Sequence, residues 1–120
     1  MESYKELEVW RQSIELTIFV YALTKLFPRE EQYSLTNQVQ RAATSIPANI
    51  AEGWGRGITK EYILHLKYSR GSLMELETHL IVAERLGYVN RENLEKLQRE
   101  IGHIGKMLNG LIASLKRNIK

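Results

Sequence analysis

A chain of 120 residues, 43% hydrophobic and 26% charged with a formal net charge of +3, is the length of one domain, residues 1–120, and buries roughly two-thirds of its unfolded surface. It has no Cys, which excludes disulfides, thiol nucleophiles and thiolate metal sites and suits a reducing cytoplasm. The opening M-E-S-Y-K-E-L-E carries three Glu and does not read as a signal peptide. The longest apolar run, Ile18 to Leu23, falls far short of the ~20 residues of a membrane span. The expectation is a cytoplasmic protein with no membrane partner.

The first helix is expected from about Leu7 to Leu26. Leu7, Trp10, Ile14 and Tyr21 form one stripe, and Leu16, Phe19, Val20 and Leu23 a second, nearly opposite. A helix apolar nearly all round is buried on all sides. In a bundle of four helices each member keeps one face wet, so the excess points to a subunit interface. Phe27-Pro28 ends the helix, because the residue before Pro is pushed out of the α region.

Arg29 to Tyr33 is a polar connection, at most one helical turn, and Ser34 is placed to cap the second helix. From Leu35 the larger apolar residues Leu35, Val39, Ala42, Ile46 and Ile50 step by four and three, one helical face. Pro47 removes the N–H that would bond the Ala43 carbonyl, a cause of kinking, and Gly53 is expected to stop the helix. W-G-R-G then reads as a C-cap and turn rather than a phosphate loop, since no Lys-Ser/Thr follows and no strand precedes it. Trp54 and Arg56 stand at that corner, where they can grip a ligand or pack over the helix end.

Thr59 is expected to cap a third helix reaching about Leu86. Its seam is Tyr62, Leu66, Ser69, Leu73, Leu76, Leu80 and Ala83, in steps of four and three. Gly71 lies mid-helix, where it costs ~1 kcal/mol relative to Ala; close contact with the Ala-rich second helix is the expected reason. Gly87-Tyr88-Val89 turns the chain, and Asn90 caps a fourth helix with seam Leu94, Leu97, Ile101, Ile104, Leu108, Leu111 and Leu115. Gly102, Gly105 and Gly110 weaken it locally. Four long helices joined by short turns predict an all-α, antiparallel up-down bundle.

These segments also carry a resemblance. Q-x-x-R-A-A-x-S-I-x-x-N-I-A-E-G (Gln38 to Gly53) followed by Arg56, with F-P (Phe27, Pro28), G-S-L-M-E-L-E-T (Gly71 to Thr78) and L-G-Y (Leu86 to Tyr88), resembles the family of small four-helix-bundle proteins encoded in intervening sequences of bacterial 23S ribosomal RNA genes. The match spans essentially the whole chain. It implies a bundle that assembles as a ring-like homopentamer. It also implies kinship with accessory proteins of diversity-generating retroelements, which bind nucleic acid and a reverse transcriptase.

Chemistry is sparsely provided for. A carboxylate-bridged di-metal bundle needs two inward Glu-x-x-His pairs and two further Glu. The chain has one such pair, Glu100 with His103 off the seam, a near miss in Glu75 and His79, and no Asp. No nucleophile elbow can be placed, so neither an enzyme nor a cofactor is expected. Asn49, Glu52, Glu75 and Glu77 flank the seams, where they are expected to ion-pair or cap helices, the alternative being a polar groove.

The charge is unevenly placed. Residues 1–98 hold 12 Lys and Arg against 13 Glu, whereas Arg99, Lys106, Lys116, Arg117 and Lys120 face Glu100 alone. Such a basic end either favours the helix dipole or binds phosphate. Arg41, Arg56, Lys60, Lys67 and Arg70, with Lys116, Arg117 and Lys120, form the candidate nucleic-acid surface, which a ring would repeat. The expectation is a non-enzymatic homo-oligomer that binds RNA or DNA backbone; the alternative is a scaffold that recruits a protein partner without touching nucleic acid.

Overall fold

The computed structural model describes residues 2–119. It contains four α-helices, α1 (Glu8–Thr24), α2 (Leu35–Gly55), α3 (Thr59–Arg85) and α4 (Arg91–Arg117), with 3-10 turns at Tyr4–Glu6 and Arg29–Glu31. Among the described residues there is no strand. Each helix starts or stops where local chemistry dictates. The Ser34 hydroxyl accepts from the Leu35 N–H at 2.6 Å, and the Asn90 side chain accepts from the Asn93 N–H at 2.7 Å, meeting donors that a helix start leaves orphaned. Leu86 closes α3 with Gly87 at φ +84°. The Gly87 and Tyr88 N–H groups turn back to the Glu84 and Ala83 carbonyls, the paired bonds of a left-handed glycine cap.

Three sequence expectations move. Gly53 does not end α2, which continues to Gly55; Gly57, at φ +72°, makes the turn. Thr59 is the first helical residue of α3, and its N-cap, Ile58, makes no side-chain capping bond. The seam of α4 leaves Leu111 half-buried and buries Ile112 instead, because a straight helix drifts against a strict seven-residue repeat.

The core is a continuous apolar cluster drawing on all four helices, with Leu16, Ile46, Ile50, Leu66, Leu73, Leu76, Leu97 and Leu108 at its centre. Helix α2 packs most extensively on α3, α1 on α2, α3 on α4, and α1 more lightly on α4. Among the described residues no Cα of α1 lies within 8 Å of α3, nor any of α2 within 8 Å of α4, so α1 and α3 occupy diagonal corners.

The tightest approach is between α2 and α3, and Gly53 permits it. A Cβ there would stand 2.7 Å from the His65 Cβ and 3.2 Å from both Tyr62 Cδ1 and the Tyr62 carbonyl. The expected role of Gly71 is thereby corrected. It is exposed, with nothing within 4 Å of where a Cβ would stand. The α3 residue that faces α2 mid-helix is Ser69, fully buried, whose hydroxyl donates to the Ile46 carbonyl at 2.8 Å. Beside it, the Thr17 hydroxyl of α1 donates to the Ala43 carbonyl at 3.2 Å. Two hydroxyls thus reach α2 around Pro47. Among the described residues, every buried side-chain N or O has a partner.

At the opposite end Glu31 joins three segments. Its carboxylate accepts from the Ser34 hydroxyl at 2.7 Å and from the Tyr88 hydroxyl at 2.9 Å. The Phe27 ring lies 5.5 Å from that of Tyr88. The α1–α2 connection is thereby tied to the α3–α4 turn.

Candidate nucleic-acid interface

The α2–α3 corner gathers Glu52, Arg56, Glu61 and His65 into one charged cluster. Arg56 caps α2 and forks between two carboxylates, Glu52 at 2.7 Å and Glu61 at 3.4 Å. The Glu52 carboxyl is held below its ordinary range, first by the hydrogen bond from Arg56 and then by the charge of His65; the Arg56 guanidinium is raised in turn by Glu52. Arg56 is a partly satisfied cation rather than a free one, and such exposed pairs add little to stability.

His65 joins this corner to the helix interface. The Asn49 amide donates from Nδ2 to the Ser45 carbonyl at 2.8 Å, so its oxygen faces His65 Nδ1 at 3.2 Å. Nδ1 therefore donates to it. That turns Nε2 toward Glu52 at 3.7 Å, with the His65 side chain 12% exposed. Nothing in the spacing of residues 49, 52 and 65 announces this cluster, because it arises where two helices abut; the one available signal is that Asn49 and Glu52 share a face one turn apart.

The remaining candidates are spread along the bundle. Lys60 and Lys67 stand exposed on α3, Arg41 is exposed on α2, and Lys116 and Arg117 close α4. Lys60, Lys67 and Arg41 make no ion pair among the described residues. Arg70 is turned aside, half-buried and donating to the Asn109 side chain of α4 at 2.8 Å. Lys120 lies outside the described residues. The acidic flanking groups pair locally: Glu75 with His79 at 3.4 Å, and Glu77 with Gln98 of α4 at 3.4 Å.

Trp54 is half-buried and meets Tyr4 edge-on at 6.0 Å, while Tyr4 meets Trp10 at 5.4 Å. Tyr4 and Trp10 line an open apolar groove of about 310 Å³ between α1 and α2, walled also by Ile14, Pro47 and Ala48. The Thr17 and Thr44 hydroxyls that border it donate to backbone carbonyls, and among the described residues the one titratable side chain in the lining is the Tyr4 phenol, with no His or carboxylate beside it. Among the described residues, no three His or Glu side chains come together as a metal site, and no helix is long and apolar enough to cross a membrane.

Comparison with known proteins agrees with this architecture. A crystal structure of a protein with unknown function from the S23 ribosomal protein family of Bacteroides thetaiotaomicron VPI-5482 superposes with a TM-score of 0.81. The two are 27% identical, over 88% of this chain and 95% of that one. None of the curated proteins matches the chain. The family model described as 23S rRNA-intervening sequence protein matches residues 5–110, and neither description names an enzymatic activity. With its four helices and this match over most of its length, the chain belongs to the family of 23S rRNA-intervening sequence proteins.

Proposed function

We propose that this protein is a cytoplasmic, non-enzymatic bundle, its helices in antiparallel up-down order. It assembles with itself into a ring, five copies by the family resemblance, and holds RNA or DNA backbone on a basic surface. The up-down order is supported by the march of contacts between α3 and α4. Glu77 meets Gln98, Leu73 meets Gly105, and Arg70 meets Asn109. Continued for two more turns, that march would bring Lys116 and Arg117 toward the end of the bundle where Lys60 opens α3. That ladder of α3–α4 contacts, which points cations remote in sequence toward one end of the bundle, is the observation that carries the reading. Arg41, Arg56, Lys67 and Arg70 widen the candidate surface, and a ring would repeat each cation in every copy.

The test is retention of a single-stranded RNA and a duplex DNA as salt is raised. Backbone contacts release condensed counterions, so log affinity should fall with log salt at roughly −0.7 to −0.9 per phosphate neutralised. The combined variant Lys60→Ala, Lys116→Ala, Arg117→Ala should flatten that slope with particle mass and helicity unchanged. No retention at low salt hands the function to the second reading, a ring that recruits a protein partner. That alternative is favoured by the apolar side chains left exposed where helices connect, Leu26, Tyr33 and Leu86.

A further inference from the structure

Helix α3 carries a second seam. Opposite its buried stripe, Leu64, Tyr68, Gly71, Glu75, Thr78 and Val82 are all exposed and step by four, three, four, three and four. That is the spacing of a face built to lie along another helix. Gly71 stands in its middle. Nothing in the protomer approaches it, so no contact within the chain accounts for a helix-weakening residue there.

Helix α1 has a matching face. Arg11, Glu15, Ile18, Ala22 and Lys25 are exposed and step by four, three, four and three, and Ile18 is 63% open. We infer that the α1 face of one copy docks in parallel on the outer α3 face of the next, with Ile18 seated over Gly71 of the neighbour. The assignment rests on the ring of the proposed function and names the surfaces that build it.

Charge sets the register. With Ile18 over Gly71, the two faces run in step, Glu15 beside Tyr68 and Ala22 beside Glu75. In knobs-into-holes packing each side chain also meets the residues flanking its opposite number. Glu15 then lies beside Lys67, and Lys25 beside Glu75, so opposite charges flank the apolar centre at both ends. Glu15, Lys25 and Lys67 make no ion pair within the protomer among the described residues, and Glu75 meets only His79 of its own helix. Lys67 then belongs to the contact, and backbone binding falls to the other cations.

Geometry selects the symmetry. Because α1 and α3 stand at diagonal corners without touching, one neighbour cannot cover both faces. A two-fold pair through α1 would bury Ile18 and leave Leu64, Tyr68 and Val82 in water. Head-to-tail contact covers both, and such contacts close into rings when the rotation allows.

Native mass spectrometry tests this, with circular dichroism as the folding control. Wild type should run as a multiple of the 13.9 kDa chain. Ile18→Glu and Gly71→Glu, each at an exposed position, should each reduce it to a single chain with helicity retained. Mixed together, they should form a one-to-one dimer, because each supplies the face that the other lacks. Glu15→Lys should lose mass, and adding Lys67→Glu should restore it. A monomeric wild type overturns the inference, as does either single variant at wild-type mass. A mixture giving only Gly71→Glu homodimers overturns it in favour of two-fold α1 pairing. RNA retention by the wild type, measured on the same preparation, bears on nucleic-acid binding alone, so the two failures are separate.

Discussion

The hydroxyl of Thr17 on α1 donates to the carbonyl of Ala43 on α2, 3.2 Å away and buried. Ala43 is the acceptor that Pro47, four residues on, leaves without its helical N–H. The hydroxyl has a single proton and shares it with the Ser13 carbonyl of its own helix at 2.8 Å, so the bond to Ala43 is the longer arm of a forked pair. A neighbouring helix thus supplies the donor that proline removes, which lets a buried Pro47 sit inside an unbroken α2.

This relationship predicts a coupling. Thr17→Val keeps the shape and deletes the donor, leaving a buried carbonyl unpaired at about 1–3 kcal/mol. In a Pro47→Ala background Ala43 regains its helical partner, so the same substitution should cost less by about 0.5–1 kcal/mol. Denaturant midpoints of the four proteins in the cycle measure the difference. Equal cost in both backgrounds would dissociate Thr17 from Pro47.

Gly53 predicts a steric limit. Gly53→Ala places a Cβ against His65 and the Tyr62 backbone, so despite the better helix propensity of Ala it should destabilise by about 1–3 kcal/mol. Thermal unfolding reads this directly. A raised melting temperature would mean that α2 and α3 stand far enough apart at Gly53 to admit a methyl group.

Glu31 predicts an acid response. Its carboxyl is held below its ordinary range, first by the Ser34 hydroxyl and then by the Tyr88 hydroxyl. A depressed carboxyl contributes stability that is present above its unfolded value of about 4.3 and lost as pH falls through the lower folded value. The melting temperature should therefore drop below about pH 4.5, and Glu31→Gln should show a shallower drop from a lower starting point. Identical pH profiles for the two proteins would remove Glu31 from the acid response.

Arg56 predicts a gain. Glu52 and Glu61 engage its guanidinium, so Glu52→Gln combined with Glu61→Gln should free a cation while preserving hydrogen-bonding capacity. If Arg56 belongs to the backbone-binding surface, the salt dependence of RNA binding should steepen by roughly 0.7 per added contact. An unchanged slope assigns Arg56 to capping α2 alone.

The helices themselves were legible in the sequence, because what makes them is local. Three-and-four periodicity in Leu66, Ser69, Leu73 and Leu76, the caps at Ser34 and Asn90 and the glycine turn at Gly87 all depend on atoms within a turn or so of the chain. The family signature lay in the same stretches. Partnership was not legible. Sequence spacing could not say that Gly53 rather than Gly71 admits the neighbouring helix, since a glycine's role depends on what stands opposite its missing Cβ. Nor could it say that Thr17 serves Ala43, that His65 meets Asn49 and Glu52, or that Arg56 already has two carboxylates. These contacts join residues from different elements, and only the packing of α1, α2 and α3 brings them within reach. The candidate cations were named from the sequence, but which are open and which are engaged was decided by the tertiary structure, because an ion pair is a property of distance and not of composition.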